Sequence, residues 1–181
     1  MRIIAGEWRG RKVQAPPGET TRPTADRTRE TLFSMLASRL GSFEGLAVAD
    51  LFAGSGALGL EALSRGAGQC LFVEQDAAAL RALRANIAAL HAQGRSEVRA
   101  GSVLALGPAK APLDLVLLDP PYRSGAGPVA LDKLARLGWI GPASWVSLET
   151  AHDEPLALKG FVLDAERRVG KARLNLLRLA A

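Results

Sequence analysis

The sequence contains few of the residues that build disulfides and metal sites. Cys70 is the only cysteine among 181 residues. A single thiol excludes an intramolecular disulfide, and its apolar neighbours favour a small core side chain. His91 and His152 are the only histidines, and neither has a partner at the spacing of metal ligands. We therefore expect a protein without a metal site.

Long apolar runs are absent as well. No segment approaches the length of a membrane span, and Glu7, Trp8 and Arg9 interrupt the N-terminal stretch before it resembles a signal peptide. The expectation is a cytoplasmic protein. Hydrophobic residues make up 48% and charged residues 23% of the chain, a composition typical of a globular domain with one core.

Positive charge exceeds negative charge. Lys and Arg number 23 against 18 Asp and Glu, a formal net charge of +5. This balance favours anionic partners, because basic side chains release counterions from phosphates. One basic group lies near the N-terminus and comprises Arg2, Arg9, Arg11, Lys12, Arg22, Arg27 and Arg29. A second group comprises Arg167, Arg168, Lys171 and Arg173.

The pattern divides the chain at about residue 40. Residues 1–40 form a basic extension, in which short β-prone runs around a glycine-bounded turn predict a hairpin. A proline-rich linker follows, and Thr24 is the predicted N-cap of a helix with one buried face. Residues 41–181 form the second predicted domain.

In the second domain, apolar strands alternate with helices. The predicted strands are 46–52, 70–74, 98–100, 113–118 and 144–149, with helices after residue 59 and over 77–90 and 129–137. Such alternation predicts an α/β fold with a parallel sheet covered on both faces. A hairpin around Gly170 is expected to add an antiparallel strand.

Three glycines after the first predicted strand have the spacing of a nucleotide-binding loop. Gly54, Gly56 and Gly59 match G-x-G-x-x-G between a strand and a helix. Glu74 closes the next strand, where a carboxylate can accept hydrogen bonds from ribose hydroxyls. Asp50 would repel a pyrophosphate but suits a cationic sulfonium. The loop favours S-adenosylmethionine over a nicotinamide cofactor, which satisfies the same glycines.

A second motif, Asp119-Pro120-Pro121-Tyr122, follows the fourth predicted strand, at the sheet edge where ligands bind. The prolines stiffen the loop and lack N–H donors, which leaves carbonyls as acceptors, and Tyr122 offers a face for base stacking. A carboxylate and a carbonyl can accept both N–H bonds of an aromatic amino group and raise the electron density on its nitrogen. The motif therefore predicts chemistry on an amino group.

The two motifs resemble those of a known enzyme class. Residues 119–122 resemble the (Asp/Asn)-Pro-Pro-(Tyr/Phe/Trp) motif of amino-group methyltransferases, and residues 50–59 resemble their cofactor-binding motif. That class includes enzymes that act on adenine N6, cytosine N4, guanine N2 and protein glutamine. The two motifs do not choose among these substrates.

Three longer segments are more specific. Residues 2–12, 21–33 and 51–65 resemble the RsmD family of bacterial 16S rRNA (guanine-N2)-methyltransferases, and the resemblance covers nearly the whole chain. It implies a Rossmann-like, seven-stranded methyltransferase sheet with an RNA-contacting extension. The implied reaction moves a methyl group from S-adenosylmethionine to N2 of guanine 966, releasing S-adenosylhomocysteine. The implied partner is a partly assembled small ribosomal subunit, and we expect a monomer.

Motifs and resemblance together predict three sets of site residues. The catalytic set is Asp119, Pro120, Pro121 and Tyr122. The cofactor-binding set is Asp50, Phe52, Ala53, Gly54, Ser55, Gly56, Gly59, Glu74, Gln75, Ser102, Val103 and Asp119. The RNA-binding set is Arg2, Trp8, Arg9, Arg11, Lys12, Arg22, Thr24, Arg27 and Arg29.

Two positions depart from the family pattern. Thr28 stands where valine is usual, and Ser102 stands where many methyltransferases place Asp or Asn against the adenine amino group. A hydroxyl is a weaker reader of that amino group. The basic extension also has an alternative interpretation, in which its arginines pair with Asp26 and Glu30 and Trp8 covers the core.

Two other functions remain open. A DNA adenine or cytosine amino-methyltransferase would use the same catalytic loop, although the chain has no separate region for reading a duplex sequence. A non-catalytic RNA-binding assembly factor would keep the fold. The loss of Glu74 or Asp119 would indicate such a factor, and both residues are present.

Overall fold

The computed structural model describes residues 1–15 and 23–181, and these ranges contain four α-helices, two short 3₁₀ helices and seven strands. The strands are β1 Ala47–Leu51, β2 Gln69–Glu74, β3 Ser96–Ala100, β4 Leu115–Leu118, β5 Trp145–Ala151, β6 Phe161–Val169 and β7 Ala172–Leu179. The helices are α1 Pro23–Leu40, α2 Ala57–Ser64, α3 Ala77–Ala89 and α4 Ala126–Arg136.

All seven strands form one sheet with the order β3-β2-β1-β4-β5-β7-β6. The first five strands of this order are parallel, and β7 runs antiparallel to both β5 and β6. The predicted α/β architecture and its single antiparallel strand are therefore confirmed. The chain order reverses between β1 and β4, and ligands of open α/β sheets bind at the carboxyl ends beside such a switch point.

The central strands are apolar because both faces of the sheet are covered. Every residue of β4 is buried, and alternate side chains enter different hydrophobic clusters. Leu115 and Leu117 pack on one face, while Val116 and Leu118 pack on the other. Cys70 is buried in the first cluster, as expected for a core thiol.

The N-terminal hairpin is shorter than its sequence pattern suggests. One antiparallel bridge joins Arg2 and Lys12, and no described residue before α1 belongs to a regular strand. Ile3 and Val13 instead pack into the cluster that covers one face of the sheet. Helix α1 already begins at Pro23, so Thr24 lies in its first turn and is not the predicted N-cap. Proline is favoured at that first helical position because its fixed φ suits a helix.

Across the described residues, no helix combines the length and the apolar character needed to cross a membrane.

Candidate active site

The register of the parallel strands brings four site positions into one row. Leu51 pairs with both Val73 and Leu118, and Leu118 pairs with Leu148. The next residues of these four strands are Phe52, Glu74, Asp119 and Glu149. Neighbouring strands lie about 4.8 Å apart, so this row places the ends of both predicted motifs side by side.

The glycine loop leaves β1 through a sharp turn. Phe52 has φ 60° and Gly54 has φ 58°, both in the left-handed region. A left-handed conformation is costly for a phenylalanine and marks a backbone held by its surroundings. A Cβ atom at Gly59 would lie 2.4 Å from Cε1 of Phe72, so only glycine allows α2 to pack this closely on β2.

Glu74 ties the glycine loop to the end of β2. Its Oε1 accepts a hydrogen bond from the Gly54 N–H at 2.8 Å. Its Oε2 accepts from the N–H groups of Gln75 and Asp76, at 3.0 and 2.8 Å. The half-buried carboxylate therefore orders the loop on which a cofactor would lie, in addition to the ribose contact predicted for it.

Asp50 lies beneath the loop. It is 1% exposed, and its Oδ2 accepts a hydrogen bond from the Gly59 N–H at 2.9 Å. Burial raises the pKa of Asp50 to about 8; the Gly59 hydrogen bond opposes this shift, and the charge of Glu74 adds to it. Asp50 therefore holds the start of α2 from below, which differs from the direct cofactor contact that the sequence suggested.

Ser102 and Val103 follow β3 at the same edge. The Ser102 hydroxyl accepts a hydrogen bond from the Leu104 N–H at 3.1 Å and so caps a short 3₁₀ turn. Its own proton stays available for donation to a ligand. Val103 is buried, and its contribution is packing. Neither finding tests the predicted contact with a cofactor.

The Asp-Pro-Pro-Tyr loop is anchored at both ends. Asp119 is exposed, and its N–H donates to the carbonyl of Leu51 on β1 at 3.4 Å. The Tyr122 hydroxyl donates to Oε2 of Glu149 at 2.7 Å. Burial and this hydrogen bond raise the pKa of Tyr122, so the phenol stays protonated. The Pro121 carbonyl already accepts a hydrogen bond from the Ser124 hydroxyl at 2.7 Å.

A cavity of about 550 Å³ opens beside this loop. Its walls come from the extension, from α2, from the ends of β4 and β5, and from the β6–β7 turn. The polar and charged side chains in the wall belong to Thr28, Arg29, Asp119, Tyr122, Glu149 and Lys171. The volume suits a single base, and the mixture of acceptors, one aromatic ring and cations suits a nucleotide.

Two members of the predicted RNA-binding set are buried. Trp8 is 7% exposed and Arg29 is 4% exposed. The Arg29 guanidinium donates to Glu61, Asp26 and the Arg2 carbonyl. Both side chains therefore have structural roles in place of the predicted RNA contacts, because a covered side chain presents no surface to a phosphate.

The other predicted RNA-binding residues divide into two groups. The exposed ones are Arg2, Arg9, Arg11, Lys12 and Arg27. Arg22 and the side chain of Thr24 lie outside the part of the chain that the structure describes. Arg2 and Arg11 each donate to a backbone carbonyl, of Gly10 and Ala89 respectively. A guanidinium has five N–H donors, so both can still contact phosphate.

Sequence reasoning missed the residues that attach the extension to helix α2 and the glycine loop. Glu61 on α2 is fully buried, and its two oxygens accept from the N–H groups of Ile4 and Ala5 at 2.9 and 3.1 Å. Asn86 on α3 donates to the carbonyls of Ser55 and Gln14, both at 2.9 Å. Glu61 could have been recognised in the sequence, because it is a charged residue inside the otherwise apolar helix that follows the glycine loop.

Glu149 was also missed, although it stands in the row described above. The available signal was its position near the end of a predicted strand, the same criterion that selected Glu74 and Asp119. Within residues 1–15 and 23–181, no group of three or more His, Cys, Asp or Glu side chains is arranged to hold a metal ion.

The comparisons with known proteins agree on one class. The family model described as "Conserved hypothetical protein 95" matches residues 1–178. Ribosomal RNA small subunit methyltransferase D of Escherichia coli K12 is 37% identical over 178 residues, which cover 97% of this chain and 88% of the relative. The Haemophilus influenzae protein of the same name is 40% identical, over 86% of this chain and 81% of its own length.

A solved structure agrees with these relatives. The Escherichia coli structure described as "Putative methyltransferase yhhF" has a TM-score of 0.84 to this chain at 36% identity. The match covers 100% of this chain and 98% of that one. The fold is therefore that of the α/β methyltransferases.

Proposed function

This chain belongs to the RsmD family, whose model is described as "Conserved hypothetical protein 95", and on that premise we propose that it methylates 16S rRNA. The methyl donor is S-adenosylmethionine. The acceptor is the exocyclic N2 amino group of one guanine, by resemblance guanine 966. The substrate is an assembled or partly assembled small ribosomal subunit, and the enzyme acts as a cytoplasmic monomer without a metal ion.

The observation that carries this proposal is the shared row at the strand ends. It places the glycine loop after β1 directly beside Asp119 after β4. A methyl donor held by the loop and an amino group held by Asp119 would then lie within one site. Such proximity supplies much of the acceleration of a two-substrate reaction, because it removes the need for a random encounter.

The cofactor-binding residues are proposed as follows. Glu74 accepts hydrogen bonds from the ribose, in addition to those from its own loop. The backbone of Ala53, Gly54, Ser55 and Gly56 lies along the methionine portion, with Phe52 and Gly59 shaping the turn. Gln75, Ser102 and Val103 surround the adenine. When bound, S-adenosylmethionine supplies an activated methyl group on a sulfonium.

The catalytic residues act on the base. Asp119 and the Pro120 carbonyl accept hydrogen bonds from the amino group and direct its nitrogen toward the donor methyl. Tyr122 stacks on the ring, since its hydroxyl is already fixed by Glu149. Pro121 stiffens the loop. A paired and stacked guanine cannot reach this cavity, so the base must be flipped out of its helix.

The exposed basic residues of the extension hold the RNA. Arg2, Arg9, Arg11, Lys12 and Arg27 are accessible to phosphates, and residues 1–40 therefore form the RNA-binding part of the protein. Residues 41–181 carry the methyl-transfer chemistry. Lys171, on the turn between β6 and β7, adds a cation at the cavity wall and extends this role to the second basic group.

The test is a transfer assay with radiolabelled S-adenosylmethionine and three substrates. These are small subunits from cells lacking this gene, protein-free rRNA and duplex DNA. We expect labelled N2-methylguanosine from the subunits, with little label in the other two. Label in DNA adenine or cytosine would favour the DNA methyltransferase, and no label in any substrate would favour a non-catalytic assembly factor.

A further inference from the structure

Glu149 is a second carboxylate beside Asp119 in the wall of the cavity. Because Leu118 pairs with Leu148, Asp119, the first residue after β4, stands next to Glu149 of the neighbouring parallel strand β5. Side chains at equivalent positions of adjacent strands point to the same side, about 5 Å apart. Both line the cavity of about 550 Å³.

The known partner of Glu149 leaves it able to bind a ligand. Its Oε2 accepts the Tyr122 hydroxyl, whereas an ionised carboxylate can accept about four hydrogen bonds. Burial raises the pKa of Glu149, and the hydrogen bond from Tyr122 opposes that shift. A ligand N–H would favour the ionised form in the same way.

The bases that carry an exocyclic amino group differ in the ring atom next to it. In guanine, the neighbouring N1 carries a proton and is a donor. In adenine and cytosine, the neighbouring ring nitrogen is an acceptor, which a carboxylate repels. Two carboxylates side by side therefore match the two adjacent donors of guanine and oppose the other two bases.

We propose that Glu149 determines the base specificity of this enzyme by accepting the N1–H of the target guanine. Asp119 and the Pro120 carbonyl hold the adjacent amino group at the same time. The inference rests on the proposed function, since it assigns the substrate of that same site. It also explains the hydrogen bond from Tyr122, which fixes the direction of the Glu149 carboxylate and the plane of the stacking ring together.

The experiment compares two bases and three proteins. Small subunits are reconstituted with rRNA that carries either guanine or 2-aminopurine at the methylated position. 2-Aminopurine keeps the 2-amino group but presents a bare acceptor at N1. The proteins are wild type, Glu149→Gln and Tyr122→Phe. The quantity measured is kcat/KM for methyl transfer to each substrate.

We expect wild type to prefer guanine by about 10- to 100-fold, the range for a charged hydrogen bond lost in a buried site. Glu149→Gln keeps an acceptor for Tyr122 and gains an N–H donor that suits 2-aminopurine. Its preference for guanine should therefore fall toward one. Tyr122→Phe removes the hydroxyl that orients the Glu149 carboxylate but keeps the carboxylate itself, so it should lower both rates and retain more of the preference than Glu149→Gln does.

Two outcomes would overturn the inference. They are a wild type with no preference for guanine, and a Glu149→Gln variant that keeps the full preference. The first needs no variant, so a folding defect cannot obscure it. Failure of the proposed function looks different, because wild type would then transfer no methyl group to guanine subunits at all.

Discussion

Replacing Glu61 by glutamine tests whether a buried ion cluster holds the basic N-terminal extension on helix α2. Glu61 is 0% exposed and faces two cations, with Oε1 at 3.3 Å from Arg29 Nε and Oε2 at 2.9 Å from Arg65 Nε. Two backbone N–H groups of the extension also donate to this carboxylate. The substitution keeps the shape of the side chain and removes its charge.

The expected cost is large because Arg29 is itself only 4% exposed. Removing one partner of a buried pair costs about 3–5 kcal/mol. Here the substitution leaves Arg29 with the half-buried Asp26 as its remaining carboxylate partner, at 3.2 Å. For a chain of this length, 1 kcal/mol corresponds to about 2–4 °C in Tm. The variant should therefore melt roughly 6–20 °C below wild type.

Urea unfolding and thermal unfolding measure the loss, and Asp132→Asn is the matched control. Asp132 pairs with Arg136 at the same i,i+4 spacing as Glu61 with Arg65, but the two side chains are 64% and 69% exposed. An exposed pair contributes about 0.2–1 kcal/mol. If both variants lost the same small free energy of unfolding, the reasoning about the buried cluster would be refuted.

Hydrogen exchange gives a second measurement on the Glu61 variant. The amides of Ile4 and Ala5 should exchange faster than in wild type, because their acceptor has lost its charge. Amides in the centre of β4 should keep their protection relative to global unfolding. Unchanged protection at Ile4 and Ala5 would mean that other contacts hold the extension.

Three further predictions concern the site. Asp119→Ala should abolish methyl transfer and keep affinity for S-adenosylhomocysteine, measured by thermal shift; equal loss of both would contradict its role at the base. Because burial raises the pKa of Asp50 to about 8, native protein keeps a proton there that the unfolded chain loses near pH 4. The free energy of unfolding therefore declines by about 1.4 kcal/mol per pH unit as the pH rises from about 4 toward 8. Asp50→Asn should remove this slope in urea unfolding from pH 5 to 8, and a constant difference from wild type would refute it. Gly59→Ala should destabilise by about 1–3 kcal/mol because its Cβ would overlap the Phe72 ring, whereas Gly94→Ala, which meets nothing within 4 Å, should be neutral; equal effects in thermal unfolding would contradict the packing argument.

Much of the fold was predictable from local patterns. The apolar runs and turn signals located the central strands to within about two residues, because both faces of a parallel sheet are buried and its strands read as continuous apolar segments. The glycine spacing and the Asp-Pro-Pro-Tyr motif were equally local. Their meeting at one edge followed from the general rule that parallel strands end on the same side.

Local sequence patterns predicted side-chain exposure least well in the N-terminal extension. Trp8 and the basic side chain of Arg29 looked accessible in sequence, and only the packing of the extension against α2 buries them. A residue with an aromatic or charged side chain can lie on the surface, or it can be buried where hydrogen-bond or charged partners compensate its polar atoms. The choice depends on partners that are distant in sequence, here Glu61, which lies 32 residues after Arg29.

The sequence by itself determined the class of fold, the loop that suits a nucleotide-like cofactor and the loop that suits an amino group. Periodicity and turn chemistry are properties of neighbouring residues, so they can be read without coordinates. Only the tertiary structure decided that Glu149 stands beside Asp119 and binds Tyr122, 27 residues away. It also decided that Glu61 and Asn86 join the extension to helix α2 and the glycine loop, because such contacts depend on strand register and helix packing.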